Sequence, residues 1–464
     1  MITMKFGGTS VGDLQRLQDV ASIVHNFLPQ HPVVVASAMS GVTNLLLETA
    51  QHAVHRDAEI VKKNIETLKE KHLNVANTLL KDAARHRELI NTQTALFDDL
   101  TNLYRGVSLL KELSARSLDA IASYGEILSC LQIAALLKDY DVPAEFIDAR
   151  TFIRTDRHFG EAAVDFAVTN NNSRALLLPK VEQGIVPVIT GFIASTDDCI
   201  TTTLGRSGSD YTGSIIGAAL DSEEIWIWTD VDGVMTADPR YVSGAKVLPE
   251  ISYREAAEMS YFGAKVIHPK TMMPAIEKNI PIRIKNTFNP PHLGTLISKK
   301  SGNAGSVVKN ITSIDYLSVI SIEGNGMMGV PGISARIFSA LARIGVNVMM
   351  ISQASSEHNV CFVVPDKDCE KALSVLRSEF DIDLVRKLID DITVQRHVSI
   401  VAVVGEGMKG TRGIAGKTFT AVADAGVNLV AIAQGSSELN ISFVVDEADV
   451  KKTVQAIHDV FHLN

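Results

Sequence analysis

The sequence is poor in several features that would assign it to a class at once. It holds 4 cysteines in 464 residues, without a Cys-x-x-Cys pair or a histidine at zinc spacing, which argues against a disulfide framework or a zinc ribbon. Lysine and arginine number 44 against 53 aspartates and glutamates, so the formal charge of −9 gives no electrostatic basis for nucleic-acid binding. No apolar run reaches the roughly 18 residues that cross a bilayer, and the N-terminus lacks a secretory pattern. We expect a cytoplasmic protein without nucleic-acid or membrane partners.

Apolar segments of strand length alternate with amphipathic segments over the first 300 residues. Hydrophobic residues make up 46% of the chain and charged residues 21%, which is enough for cores in about three domains. Residues 13–28 carry apolar side chains at helical spacing. Residues 33–36 are apolar throughout, as in a parallel sheet covered on both faces. The pattern predicts an α/β fold. The predicted strands are residues 2–6, 33–36, 144–147, 185–190, 224–228 and 281–284.

Residues 56–120 interrupt this alternation. They are rich in lysine, glutamate, leucine, alanine and asparagine, with almost no glycine or proline, and they predict a helical insertion. The histidines in and beside this region share no cluster with carboxylates, so we expect solvated helix residues and not metal ligands. These histidines are His52, His55, His72 and His86.

The C-terminal part contains an internal repeat. Residues 324–364 align without a gap with residues 405–445, and 21 of the 41 positions are identical. A duplication of this length indicates two small domains and not a solenoid. Each copy follows the order of a ferredoxin-like βαββαβ unit. The polar, glycine-containing residues 299–306 precede the repeat and predict a domain boundary.

Residues 5–13 (KFGGTSVGD) stand between the first predicted strand and the first helix. Two glycines let the backbone approach a ligand, the helix N-terminus offers free N–H groups to an anion, and Lys5 adds a positive charge for phosphate. An ordinary strand-to-helix turn with an exposed lysine explains this motif equally well.

Residues 201–212 (TTTLGRSGSDYT) repeat the same logic. A threonine-rich strand ends in a glycine and serine loop, and an apolar helix follows. The loop predicts a second anion-binding helix start, in which Arg206 can bind a carboxylate in a forked pair. The order of residues differs from a Walker A loop.

Two further patterns are less specific. Asp230 and Asp232 follow a strand and could bind a metal or a ribose or only fix the turn, while Trp226 and Trp228 are expected in the core. Gly-x-Gly-x-x-Gly occurs twice, starting at residues 324 and 405, but each copy lies in an 81-residue unit without an acidic residue at the end of the next strand. We interpret these glycines as turn residues and reject a dehydrogenase.

The motifs together resemble an aspartokinase of the amino-acid kinase family followed by two ACT regulatory domains. The repeat motifs 351–357 (ISQASSE) and 432–438 (IAQGSSE) resemble the threonine-sensitive branch of that family, which includes fusions to homoserine dehydrogenase. Because the sequence ends at Asn464, after the second ACT unit, we expect no dehydrogenase half. The other motifs are residues 5–11 (KFGGTSV), 40–44 (SGVTN), 123–126 (SYGE), 202–211 (TTLGRSGSDY), 228–230 (WTD), 236–240 (TADPR) and 262–269 (FGAKVIHP).

The resemblance implies an amino-acid-kinase-like parallel sheet between helices at residues 1–300, with ACT domains at 311–390 and 391–464, the last strand of which could pair with the first ACT unit. It implies transfer of the γ-phosphoryl of ATP, with Mg²⁺, to the side chain of L-aspartate, and it assigns no protein ligand to the metal. Catalytic roles fall to Lys5 and Asp210. The substrate residues are Thr43, Glu126, Arg206, Ser207, Gly208 and Ser209. The nucleotide residues are Lys5, Phe6, Gly7, Gly8, Thr229, Asp230, Met235, Arg240, Lys265 and Val266.

Small βαββαβ sheets leave edge strands, which predicts a homo-oligomer, at least a dimer. The resemblance also implies an amino-acid effector, which we expect near Met327, Gln353 and Gln434. We expect L-threonine rather than L-lysine, because lysine-sensitive relatives carry an acidic residue where this chain has Met349 and Val430, and a buried ammonium needs a carboxylate. Met235 replaces a tyrosine that is common in related kinases. Two alternatives stay open: a kinase for another amino acid or a nucleotide, and a catalytically silent amino-acid sensor.

Overall fold

The computed structural model describes residues 1–264, 267–299, 306–353 and 358–463. The chain divides into two compact units, and each is described by itself. The first unit comprises Met1–Val234, Pro249–Tyr253 and Ile267–Ser301. The second comprises Met235–Leu248, Arg254–Val266 and Gly302–Asn464. The segments Met235–Leu248 and Arg254–Val266 therefore belong to the second unit, although they lie within the predicted kinase region at residues 1–300.

Strands and helices alternate over the first 300 residues, as the apolar pattern predicts. Every predicted strand is present within one or two residues. The strands are β1 Ile2–Phe6, β2 Pro32–Ala36, β3 Ala144–Ile147, β4 Val186–Thr190, β5 Ile193–Ser195, β6 Thr201–Thr203, β7 Glu224–Thr229, β8 Glu250–Ser252, β9 Ile282–Asn286 and β10 Thr295–Ser298. The helices are α1 Leu14–Asn26, α2 Val42–His55, α3 Ala58–Leu79, α4 Ala83–Leu110, α5 Ala115–Asp139, α6 Phe166–Glu182, α7 Gly208–Ala219, α8 Tyr253–Tyr261 and α9 Pro269–Lys278.

The first unit is built on an eight-stranded sheet in the order β3-β4-β2-β1-β7-β9-β10-β8. The first six strands in this order, which are β3, β4, β2, β1, β7 and β9, run parallel to one another. Strand β10 runs antiparallel to β9. Apolar clusters bury the central strands, as expected for a sheet covered by helices on both faces. Because the carboxyl ends of parallel strands meet at one edge, the turns after β1, β2, β4 and β7 lie along the same edge.

The helical insertion consists of α3, α4 and the first turns of α5. Its apolar stripe includes Leu68, Val75, Phe97 and Leu100, which pack into the core of the first unit. The expectation that His72 is solvated is wrong: its side chain is buried, its Nδ1 atom hydrogen-bonds to the Leu68 carbonyl, and its ring packs edge-on against Phe97. The helical periodicity that places Leu68 in the core also places the residue four positions later there.

Helix α5 alone among the helices of the described residues is long and apolar enough to cross a membrane by length and composition. Within the fold, 78% of its apolar window is buried. A buried core helix of a folded domain can have the same length and apolar composition.

The second unit contains a six-stranded antiparallel sheet in the order β12-β13-β11-β14-β16-β15. The strands are β11 Asn310–Glu323, β12 Met350–Gln353, β13 Asn359–Pro365, β14 Asp391–Val404, β15 Ala431–Ala433 and β16 Asn440–Asp446. The helices are α10 Ile333–Arg343, α11 Asp366–Glu379, α12 Asp381–Val385, α13 Ile414–Asp424 and α14 Val450–Val460.

The two long strands β11 and β14 join the copies of the repeat. Residues 319–323 pair with residues 391–395, while residues 310–314 pair with residues 400–404, so each strand serves both copies. We expected a last strand near the C-terminus, but the described residues contain none after α14. Residues 310–314, the first half of β11, pair with β14 at the position where we expected that strand. Gly326 and Gly407, the middle glycines of the rejected dinucleotide pattern, lie in short 3₁₀ turns, and a Cβ on Gly326 would lie 2.6 Å from the Leu388 Cα atom.

Candidate active site

A cavity of about 390 Å³ lies in the first unit at the edge where the parallel strands end. Its walls come from distant parts of the sequence, since the turns after β1 and β2, helix α5 and the start of α7 all contribute. The lining residues include nine of the predicted ones: Lys5, Gly8, Thr43, Glu126, Arg206, Ser207, Gly208, Ser209 and Asp210. The structure therefore brings together both predicted catalytic residues and all predicted substrate residues.

Lys5 forms the cationic centre of this cavity. It lies near the end of β1, its side chain is 8% exposed, and its Nζ atom lies 2.6 Å from Asp210 Oδ1. The two groups form an ion pair without the alignment of a hydrogen bond. Gly213 on α7 allows this close approach, because a Cβ there would lie 3.1 Å from the Lys5 Cβ. Asp210, in the first turn of α7, therefore contacts Lys5 at the end of β1.

Two helix N-termini open into the cavity. Helix α2 follows Gly41, whose φ of 79° suits glycine, and helix α7 follows Ser207, which adopts a left-handed φ of 57°. Neither cap residue bonds its helix through a side chain. The Val42 and Gly208 N–H groups donate to the Met39 and Gly205 carbonyls, both at 3.0 Å. The next N–H groups of each helix and the positive ends of both helix dipoles are available to an anion.

Two glycines keep the walls of the cavity close together. A Cβ on Gly8 would lie 3.0 Å from the Ala38 carbonyl oxygen, and a Cβ on Gly208 would lie 2.6 Å from the Phe192 ring. Backbone amides can thus approach a ligand without an intervening side chain.

Glu126 stands on the buried face of α5 and is 3% exposed. Its Oε1 atom accepts a hydrogen bond from the Ala38 N–H at 3.2 Å, while its Oε2 atom has no partner within the described residues. Burial raises the pKa of Glu126 to about 8, and the Ala38 N–H and Lys5 oppose this rise. A cationic ligand group at Oε2 would restore the charge of the carboxylate.

Arg206 faces the cavity from the loop between β6 and α7. It is exposed, and no ion pair or hydrogen bond holds its guanidinium within the part of the chain that the structure describes. A planar, unpaired guanidinium is suited to a forked pair with a carboxylate. The cavity thus presents a cation for a carboxylate and, at Glu126, an anion for an ammonium group.

The predicted nucleotide residues are more dispersed. Phe6 is buried and stacks on Trp228, and the Gly7 N–H donates to the Trp228 carbonyl at 3.1 Å. Thr229 bonds to Asp230 at the end of β7. Asp232 accepts hydrogen bonds from Asn286 and Asn289, which supports the reading in which it fixes the turn.

The prediction includes four further nucleotide residues. Met235 and Arg240 belong to the second unit, where the Met235 carbonyl accepts from Asn310 and Arg240 pairs with Asp238. Lys265 and Val266 lie outside the described residues.

A second cavity, of about 520 Å³, lies in the second unit between the turn after β11 and the start of α10. Met327 and Gln353 both line it, as the effector prediction requires. Gln434 follows β15 at the matching place in the second copy of the repeat and is exposed.

Sequence reasoning missed several residues of the first cavity. The lining also includes Ser37, Ala38, Met39, Asn44 and Phe192. Ser37 to Met39 follow β2 directly, so their place at the end of a parallel strand was a usable signal. Phe192 stands in no recognisable motif.

Comparison with known proteins agrees with this geometry. Residues 1–286 match the amino acid kinase family, and residues 320–380 and 401–461 match an ACT domain. Aspartokinase III of E. coli in complex with aspartate and ADP is 30% identical, with a TM-score of 0.81 over 100% of both chains. The chain belongs to the aspartokinase branch of the amino acid kinase family. The fold prediction is confirmed.

Two other relatives are similar to nearly the whole of this chain. The E. coli aspartokinase III complex with lysine and aspartate is 29% identical, with a TM-score of 0.82 over 99% of both chains. The bifunctional aspartokinase/homoserine dehydrogenase 2 of Arabidopsis thaliana, a chloroplastic protein, is 38% identical over 99% of this chain and 50% of the relative. The chain spans about half the length of the bifunctional curated relatives that it matches.

Proposed function

We propose that this chain transfers the γ-phosphoryl group of ATP to the side-chain carboxylate of L-aspartate. The product is 4-phospho-L-aspartate, and the reaction is the first step of lysine, threonine and methionine biosynthesis. The observation that carries the proposal is the single cavity in which Lys5, Glu126 and Arg206 meet two free helix N-termini. This set matches an amino-acid zwitterion that meets a phosphate chain.

The chemistry requires little from the protein as an acid or base. A carboxylate with an ordinary pKa near ~3.9 is ionised at neutral pH and needs no general base. The obstacle is electrostatic, because this anion must approach a polyanion and the transition state spreads negative charge over the phosphoryl oxygens. The Lys5 ammonium and the N–H groups of the α2 and α7 N-termini are placed to stabilise that charge.

Aspartate is held through its backbone groups in this proposal. Arg206 binds the α-carboxylate and Glu126 the ammonium group, while Thr43, Ser207, Gly208 and Ser209 complete the site. Asp210 acts by orienting Lys5, to which it is paired. The side-chain carboxylate is then left to face the phosphates.

The nucleotide is assigned to the turns after β1 and β7. We place Phe6, Gly7, Gly8, Thr229 and Asp230 beside ATP, together with Met235, Arg240, Lys265 and Val266. No group of three or more histidine, cysteine or acidic residues that could hold a metal is found among the described residues. Mg²⁺ therefore fits as an ion held chiefly by phosphate oxygens, and it supplies positive charge to them.

The repeat serves regulation by an amino acid, for which we propose L-threonine acting at Gln353 and Gln434. The cavity beside Gln353 is lined within the described residues by apolar, glycine, serine and glutamine side chains, without a carboxylate. Neutral hydrogen-bond partners suit a hydroxyl better than an ammonium.

We further propose a cytoplasmic homo-oligomer, at least a dimer, with the kinase domain at 1–300 and ACT domains at 311–390 and 391–464. The edge strands β12 and β15 expose Ile351 and Ile432, which are 48% and 43% accessible in the single chain. The Ser352 hydroxyl of β12 donates to the Ile432 carbonyl of β15 at 3.2 Å, so these two strands lie beside each other within one chain. A second copy would therefore cover their exposed apolar side chains. Light scattering that gives a monomer mass at all concentrations contradicts the oligomer.

The proposal is tested by an ATP-dependent hydroxamate assay, in which hydroxylamine traps the acyl phosphate. We expect hydroxamate with L-aspartate and none with L-glutamate or N-acetyl-L-glutamate. With nucleoside monophosphates, whose phosphorylated products hydroxylamine does not trap, the product measured is ADP, and we expect none. Product with one of those instead supports a different kinase. No product with any acceptor, together with threonine binding in calorimetry, supports the silent amino-acid sensor.

A further inference from the structure

Asp119 is a buried carboxylate outside the cavity. It lies on α5, is 3% exposed, and makes no ion pair within the described residues. Its Oδ2 atom accepts hydrogen bonds from the Gly160 N–H at 2.9 Å and the Thr203 N–H at 3.0 Å, and its Oδ1 atom accepts from the Thr203 hydroxyl at 2.8 Å. Removing a carboxylate from water is costly, so such a group persists in a fold only with several donors of this kind.

These bonds act at the start of the substrate loop. Thr203 is the last residue of β6, and the loop of residues 204–207 that follows carries Arg206 and leads into α7. The Thr203 carbonyl accepts from the Ala162 N–H at 2.9 Å, and the Leu204 N–H donates to the Phe192 carbonyl at 2.9 Å. The beginning of the loop is therefore fixed from several sides, with the charged bonds coming from Asp119.

Arg206 depends on this anchoring more than its neighbours do. Its guanidinium has no hydrogen-bond or ion-pair partner in the described part of the chain, so the loop backbone alone decides where it points. A movement of the backbone at Thr203 would pass directly to Arg206 three residues later.

Helix α5 connects this anchor with the other end of the substrate. Asp119 and Glu126 are seven residues apart, which is two helical turns, so they lie on the same face of α5. Glu126 reaches the cavity directly, and Asp119 reaches the loop that carries Arg206. One buried helix thus sets the positions of both charged groups.

We propose that Asp119 is a positioning residue that fixes the distance between Arg206 and Glu126, and with it the affinity for the amino-acid substrate. This inference rests on the proposed function, since it takes aspartate as the substrate. It assigns Asp119 no contact with substrate or nucleotide.

The decisive measurement is the kinetics of Asp119→Asn, which keeps the shape of the side chain but removes its negative charge, so that its bonds to Gly160 and Thr203 are no longer charge-assisted. We expect the KM for aspartate to rise about tenfold or more, as for loss of charged hydrogen bonds that orient a binding group. The KM for ATP and kcat should stay within about threefold, because Lys5 and the nucleotide residues are not held by these bonds. Circular dichroism and the thermal midpoint report on folding.

Asp156→Asn is a matched control. Asp156 is exposed and accepts backbone hydrogen bonds from His158 and Ala163, at 3.1 and 3.0 Å, in the segment that also contains Gly160. Its loss perturbs that segment without removing the bonds to Thr203. We expect both KM values to remain at the wild-type level.

A second pair of variants keeps the test decisive if Asp119→Asn fails to fold. Thr203→Val removes one donor to Asp119 and should raise the KM for aspartate, whereas Thr203→Ser retains the hydroxyl and should restore it. In the double variant, Thr203→Val should raise the KM for aspartate only slightly beyond its value in Asp119→Asn, because both substitutions act on the same contact.

An unchanged KM for aspartate in Asp119→Asn and Thr203→Val, or an equal rise in the KM for ATP, overturns the positioning role. A wild-type protein without aspartate turnover overturns the proposed function instead, and the two failures are therefore distinct.

Discussion

The Nζ atom of Lys5 lies 2.6 Å from a carboxylate oxygen of Asp210, so an ion pair joins the end of β1 to the first turn of α7. The pair is largely shielded from water, with side chains 8% and 18% exposed. Asp210 keeps the ammonium group at the cavity wall, and the negative charge of a phosphate chain can then share the same cation.

Lys5→Ala should remove most turnover while leaving the fold intact. Loss of one preorganised donor to a developing negative charge is typically worth a factor of about 10² to 10³ in kcat. Lys63→Ala, at an exposed position of α3, is the control and should behave as wild type. A fall in kcat of less than about tenfold, with unchanged circular dichroism, contradicts a catalytic role for Lys5.

Arg206→Lys should raise the KM for aspartate by about tenfold or more, because an ammonium group cannot form the forked pair. The KM for ATP should change little. The control is Arg157→Lys, since Arg157 pairs with Asp198 on the exposed surface of the same unit. Parallel increases in both KM values would mean that Arg206 shapes the nucleotide site or the fold.

Glu126 should make aspartate binding depend on pH. Its pKa is raised to about 8 in the free protein, so the carboxyl group is mostly protonated at pH 7. The ionised form binds the ammonium group, and we expect the KM for aspartate to fall about eightfold between pH 7 and pH 8.5. Calorimetry in buffers of different ionisation enthalpy should detect release of nearly one proton on binding at pH 7.

Glu126→Gln is the corresponding control for the titration. It should bind aspartate weakly, with a KM that is flat over the same pH range and without proton release. A KM for the wild type that does not change with pH would show that Glu126 is already ionised in the free site or does not meet the substrate.

His72 should make the stability of the first unit sensitive to acid. Burial lowers its pKa from 6.5 to about 4, so the folded state binds the proton more weakly than the unfolded state does. Stability is full above pH 6.5 and is lost as the pH falls toward 4, by about 2 kcal/mol at pH 5 from this residue. Thermal unfolding at pH 7 and pH 5 should show a smaller loss in His72→Leu than in wild type, with exposed His55→Leu as the control. Equal losses in all three proteins assign the acid sensitivity to other groups.

Most of the sheet and half of the cavity could be predicted from the sequence, because the relevant signals are local. Apolar strands such as residues 33–36 and the glycine turns after them place Lys5 and Gly8 at the ends of parallel strands. The loop that carries Arg206 stands in the same strand-to-helix context. These signals depend on residues that are neighbours in the sequence.

The remaining features depend on contacts between distant residues. Asp119 is a single acidic residue in a helical stretch, and only the packing of β6 beside α5 reveals its bonds to Thr203. The pairing of each half of β11 with β14 could not be predicted from neighbouring residues, because either half could equally pair within its own copy of the repeat. The assignment of residues 235–248 to the second unit likewise follows from a bridge between Ala237 and Ile311.

The two glutamines of the effector prediction have different surroundings in the two copies of the repeat. Gln353 lines the cavity of about 520 Å³ together with Met327 and the start of α10, while Gln434 is its counterpart after β15. Threonine binding would stabilise an inactive arrangement, and a coupling free energy of ~1–3 kcal/mol is enough for a 5–150-fold change in affinity. We expect L-threonine to inhibit and L-lysine to inhibit weakly or not at all.

Inhibition curves for both amino acids on wild type, Gln353→Ala and Gln434→Ala test this assignment. Each variant should need more threonine for half-inhibition, with the KM for aspartate unchanged when threonine is absent. Asn359→Ala is a control in the same copy, because Asn359, the first residue of β13, donates a hydrogen bond to Glu323 and does not line the cavity. Strong inhibition by lysine without a response to threonine overturns the choice of effector. Full threonine sensitivity in both glutamine variants overturns the site, since a ligand held by these amides cannot be indifferent to their removal.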